Sequence, residues 1–231
     1  KNLEVLDSVL KGRRVDGESD YRFDIEVPSV EFKNSTILSS PESGGTSSQS
    51  TLAFGELWMS NSTLGGASSG NYQTNYYIYV KNLTDEVNAT SGDVYIFNST
   101  IRFNTSSNSD YTFVFDVFTT GDIRIIDSEI NATHYRTSTI ELEGSEILIQ
   151  NSTLWSGTRS TENGPGCHGN YNEDTCIDRG EVLYLHSYLI LTSGNLTIED
   201  SELKASSELT STYQRNCCYY DSYWHYRRAW T

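Results

Sequence analysis

Four histidines, four cysteines and 31 acidic residues are the side chains of this 231-residue chain that could ligate a metal or move a proton. A metal site needs such donors at short, recurring spacings, and acid–base catalysis needs carboxylates facing each other across one cleft. The histidines are scattered: His134, His168, His186 and His225 fall in different turns of the sequence. Cys167 and Cys176 share one loop, while Cys217 and Cys218 are adjacent. His168 beside Cys167 and His225 near Cys218 leave zinc as an option, but their spacing matches no common zinc pattern. Neither a metal nor a cofactor is expected. A bond between Cys217 and Cys218 would be strained, because neighbouring Cα atoms lie closer than a disulfide prefers. The favoured arrangement ties the 167–176 loop to the tail at 217–218, with bridges between subunits as the rival. There is no Gly-Xaa-Ser-Xaa-Gly nucleophile turn and no phosphate-binding loop.

Asparagine is the other reactive residue here. Nine Asn-Xaa-Ser/Thr sequons occur, at Asn34, Asn61, Asn82, Asn88, Asn98, Asn104, Asn131, Asn151 and Asn195. They point to a secreted, extracellular or cell-surface chain carrying N-linked glycans, and the cysteines fit that compartment. The opening residues KNLEVLDSVL lack a charged-then-apolar leader, so any secretion signal is read as already removed. No run of 18 apolar residues is present, which excludes a membrane-spanning helix. With 16 basic residues and a net charge of −15, nucleic acid is not an expected partner.

The elements that position these residues come from a repeat. The pattern apolar-x-apolar-x-(Asn/Asp)-Ser-x-apolar starts at Leu3, Val30, Leu57, Val94, Ile123, Ile147 and Leu196, so successive copies lie 27, 27, 37, 29, 24 and 49 residues apart. The alternation marks strands with one buried face. Most copies follow another short apolar strand, such as FVFDVF at 113–118 or YYIYV at 76–80. The two long gaps are read as insertions, one Gly/Ser-rich (Gly65 to Gly70) and one from Trp155 to Gly180. A unit of two or three strands cannot bury its apolar face alone, whereas stacked units bury a continuous core.

The motif and period resemble the right-handed parallel β-helix family over residues 1 to about 204. The implied architecture is all-β, a parallel β-helix of about seven coils over 1–205, with inserted loops and an aromatic, Cys-containing segment at 206–231. The family stacks polar turn residues into ladders between coils. Here that position holds Asp7, Asn34, Asn61, Asn98, Asp127, Asn151 and Asp200. Asn and Asp both suit turns, because a side-chain oxygen accepts backbone N–H bonds and both tolerate unusual dihedrals. Ladder amides would be occupied and shielded, which shifts the expected glycans to Asn88, Asn104 and Asn131.

Many proteins of this fold cleave acidic polysaccharides, with carboxylates projecting from adjacent coils. The outward positions of the repeat are Glu4, Glu31, Trp58, Tyr95, Arg124, Leu148 and Thr197. Glu4 and Glu31 can be neighbours, but no basic partner stands in line with them. Glu129 and Glu202 fall in equivalent turns two coils apart, too far for one site. The Asn-Thr-Asp, Asp-Asp, Gly-His-Gly and Arg-Ile-Lys motifs of the galacturonan hydrolases are missing from the sequence. The chain is therefore not read as an enzyme. Trp58 and Tyr95 form either an outward aromatic step for sugar or protein, or a pair covered by the 64–76 segment.

Residues 206–231 concentrate Tyr213, Tyr219, Tyr220, Tyr223, Trp224, Tyr226 and Trp230 with Arg215, Arg227 and Arg228. Tyr, Trp and Arg are the residues of interface hot spots. The segment reads as a cap on its own last coil or as a docking segment for the next subunit. Nothing ahead of Leu3 resembles a cap, so that end reads as an open strand edge. The expectation is a structural protein that binds copies of itself, head-to-tail or laterally, in a filament, sheath or layer. It resembles the archaeal cell-surface and sheath β-helix proteins. A carbohydrate-binding or polysaccharide-cleaving surface protein is the alternative.

Overall fold

The computed structural model describes residues 2–11, 20–38, 47–68, 73–81, 92–105, 112–134, 137–160, 186–209, 217–220 and 226–229. Every regular element among them is a strand. The strands arise where alternation is strongest: Thr112–Phe118 reads TFVFDVF and buries Phe113, Phe115 and Val117 while its other residues face outward.

Three strand segments make one circuit of the chain. The first face stacks Leu3–Leu6, Val30–Lys33, Leu57–Ser60, Val94–Phe97 and Asp122–Ile126 in parallel register. The second is a seven-stranded sheet of Val9–Lys11, Thr36–Leu38, Thr63–Ser68, Thr100–Thr105, Glu129–His134, Thr153–Ser160 and Glu202–Leu209. The third stacks Asp20–Val27, Ser47–Phe54, Gln73–Val80 and Thr112–Phe118. Thr137–Gln150 and His186–Glu199 run through the third face and on into the first. Those two faces therefore form one 11-stranded sheet. All these pairings are parallel, and the chain is an all-β parallel β-helix.

The inward residues of each face meet along the axis. Val30, Leu57, Val94, Ile123 and Ile147 form one buried row, and Phe32, Met59, Ile96, Ile125 and Ile149 the next. Each such side chain contributes about 1.5–3 kcal/mol relative to exposure. Tyr76, Phe103 and Phe113 pack inside at centroid distances of 4.6 and 5.3 Å. Gly66 makes room for them, because a Cβ there would lie 2.9 Å from the Tyr76 ring.

Two expectations about the insertions are corrected. Gly65 and Gly66 belong to the strand Thr63–Ser68, where small residues admit Tyr76, so the Gly/Ser-rich run does not begin as a loop. Trp155 likewise lies within the strand Thr153–Ser160. Two strands missing from the sequence reading, Asp20–Val27 and Ser47–Phe54, complete the third face. The strand Glu202–Leu209 carries the second face past residue 205. Beyond it, Cys217–Tyr220 and Tyr226–Ala229 form an antiparallel pair that is a sheet of its own.

Candidate functional site

The corner between the first and second faces holds two parallel columns of side chains. Asp7, Asn34, Asn61, Asn98, Asp127, Asn151 and Asp200 all stand there at φ between 44° and 50°. They are the only non-glycine residues at positive φ among the described residues. The left-handed region costs most L-residues about 1–2 kcal/mol and suits Asn and Asp best, which explains the residue types. Their side chains bond between coils with one polarity: each amide donates to the oxygen of the preceding coil. Asn34 Nδ2 donates to Asp7 Oδ1 (2.9 Å), Asn61 to Asn34 (3.2 Å), Asn98 to Asn61 (2.7 Å) and Asn151 to Asp127 (2.6 Å). A carboxylate has no N–H to give, so the column stops at Asp127 and again at Asp200. The column is solvent-exposed, which corrects the expectation that these sequon amides are shielded: they are occupied but accessible.

The next residue in each copy is serine, and this second column runs without a break. Ser8, Ser35, Ser62, Ser99, Ser128 and Ser152 each donate a backbone N–H to the next coil's serine Oγ at 3.0–3.1 Å. Each serine hydroxyl in turn donates to the carbonyl two residues earlier; Ser62 Oγ reaches Ser60 O at 2.8 Å. Ser35, Ser62, Ser99, Ser128 and Ser152 are buried. Buried N–H groups without partners are costly, and an inward turn has no water to offer. The sequence reading missed this column, although its signal was present: serine never varies in the seven copies while its neighbour alternates.

On the first face the outward residues Glu4, Glu31, Trp58, Tyr95, Arg124, Leu148 and Thr197 lie side by side in consecutive strands. Trp58 and Tyr95 stack at 4.1 Å between centroids with planes 30° apart. The Arg124 guanidinium lies over the far side of the pair, 5.6 Å from the Tyr95 centroid, and is held by Asp122 at 3.3 Å. Burial and the negative charge of Asp93 raise the Tyr95 phenol above its ordinary value, partly offset by Arg124. A shallow depression of about 350 Å³ runs along this face. Trp58 is 42% exposed, and the described residues of the 64–76 segment lie in strands of the other two faces, Thr63–Ser68 and Gln73–Val80, so they do not cover the pair as one reading expected.

Glu129 and Glu202 are separated in their sheet by Thr153, two strands apart. Burial pushes the Glu129 carboxyl up, but hydrogen bonds from Arg102 (2.7 Å) and Asn131 (3.0 Å) outweigh it and hold it below its usual value. Asn131 is thus half-buried with its amide engaged. Asn104 lies within Thr100–Thr105 opposite Thr133, and Asn88 is outside the described residues. Among the described residues no group of three His, Cys, Asp or Glu is placed to hold a metal ion.

Cys167, Cys176 and His168 lie outside the described residues, as do Tyr213, Arg215, Tyr223, Trp224, His225 and Trp230. The antiparallel pair sets Cys217 opposite Ala229, Cys218 opposite Arg228, Tyr219 opposite Arg227 and Tyr220 opposite Tyr226.

Fold and corner columns together define a parallel β-helix whose coils are tied by side-chain ladders. No protein-family model, curated protein or solved structure matches the chain.

Proposed function

We propose that this chain is a structural extracellular protein that self-assembles into a cell-surface filament, sheath or layer. The observation that carries this reading is the state of the last coil. Leu196 and Ile198 occupy inward positions in register with Ile147 and Ile149. Yet they are 47% and 44% exposed, against 1% and 0% for their neighbours. Among the described residues, the Asn195–Glu199 end of this strand pairs only with the stretch around Glu146–Gln150, so it presents a strand edge. An apolar rung with a free parallel edge is a template for another strand. Self-association covers both at once, and a heterologous contact of that kind grows rings or filaments rather than closed dimers.

The sequons and cysteines support an extracellular setting. In this reading the chain is a component like the archaeal cell-surface and sheath β-helix proteins. A sugar-binding step at Trp58 and Tyr95 is less well supported, since stacking turns one face of each ring on the other and Arg124 occupies the outer Tyr95 face. Negative-stain electron microscopy of the native material tests the proposal. Regular filaments or sheets are expected, and dispersed single particles at high concentration would overturn it.

A further inference from the structure

The outward stack on the first face is finished at one end and unfinished at the other. At its far end a guanidinium, Arg124, lies over Tyr95 and is neutralised by Asp122. At its near end the free face of the Trp58 ring is turned toward the preceding coil, whose residue in register is Glu31. That end has an aromatic face and a carboxylate but no guanidinium: among the described residues no cation pairs with Glu31. Aromatic faces attract cations, most of all Trp with Arg, and a carboxylate beside the ring fixes the orientation through charge-assisted hydrogen bonds.

The geometry points to the cleft between Trp58 and Glu31 as a receptor for an arginine side chain of a second copy, supplied by the C-terminal segment at Arg227 or Arg228. This deepens the self-association reading and rests on it. Charge selects the occupant. The chain carries −15 overall, while Arg215, Arg227 and Arg228 cluster within its last 17 residues. Arg227 and Arg228 lie on the antiparallel pair Cys217–Tyr220/Tyr226–Ala229, which among the described residues forms a sheet separate from the coils. Trp58 is 42% exposed, which leaves its ring open to a donor from another molecule, the source the self-association reading supplies. The contact is heterologous, as filament growth requires, and adds a lateral anchor to coil stacking.

The test is a charge swap on the full chain, read as the self-association constant by sedimentation velocity over a concentration series. Glu31→Arg alone, and Arg227→Glu with Arg228→Glu, are each expected to weaken association by about 10-fold or more; combined, they restore it to within about 3-fold. Trp58→Leu weakens it similarly, while Trp58→Phe, which keeps a ring, loses less. Circular dichroism melts confirm that each variant remains folded. If the native chain assembles but the swaps change nothing, the inference fails and the self-association reading stands. If the swaps alter the melt of a monomer without changing association, the occupant is the chain's own tail and the inference is equally overturned. A native chain that never associates removes the reading itself.

Discussion

At the corner between the first and second faces, one residue type decides whether a coil is tied to the one before it. Asn both donates and accepts, so Asn34, Asn61 and Asn98 form a continuous run from Asp7. Asp127 accepts from Asn151 but cannot donate to Asn98, leaving two acceptor oxygens adjacent. Asp127→Asn is therefore expected to extend the column and stabilise the fold by about 0.5–1 kcal/mol, seen as a higher urea midpoint. The serine column carries more weight. Ser62→Ala leaves the buried Ser35 N–H without its acceptor and is expected to cost about 1–3 kcal/mol. Asn61→Gly keeps the positive φ and gives up only solvent-exposed bonds, so its cost stays below about 1 kcal/mol. A larger loss for Asn61→Gly than for Ser62→Ala in the same urea titration would contradict this ranking. Sequence alone marks the Asn/Asp position as a turn, because Asn and Asp share a propensity. It does not say which of the two adjacent polar residues points inward, since that depends on the sign of φ at the corner.

Strands were legible where alternation falls in or just before the repeated motif, whereas Asp20–Val27 escaped although Tyr21, Phe23, Ile25 and Val27 alternate as strictly. The long stretch 137–150 contains two expected strands that the structure joins through Gly144 and Ser145. The start of each insertion was misplaced because Gly and Ser read as loop residues, although Gly66 serves the packing of Tyr76. Gly66→Ala would bring a methyl against that ring and is expected to cost about 1–3 kcal/mol; Tyr76→Leu in the same chain should recover part of it, as thermal melts would show. Two carboxylates give strands opposite responses to pH. Glu129 is held below its ordinary 4.5, so its contribution is present above that value and disappears as pH falls through the lowered one. Asp116 is raised above 3.8 by burial, against the pull of Lys81. Its contribution is complete below 3.8 and is lost as pH rises through the raised value. Asp116→Asn should thus stabilise the chain at neutral pH and make no difference at strongly acid pH. Glu129→Gln should destabilise at neutral pH, with the loss vanishing on acidification. Urea midpoints across that range check both signs.

On the scale of the whole molecule, period and alternation carried the architecture, because stacking demands the same pattern in every coil. What the coils stack against was not legible: exposure of Leu196 and Ile198 is a property of three-dimensional position, and their sequence context equals that of the buried Ile147 and Ile149. The most direct measurement of the self-association account is amide hydrogen exchange at the free edge, followed while concentration is raised. The account predicts that those amides of 195–199 directed away from Thr137–Gln150 exchange quickly in dilute solution and become protected as particles grow, while those of 147–150 are slow throughout. Exchange at these outward amides that stays fast in assembled material, or that is already slow in dilute monomer, would contradict it.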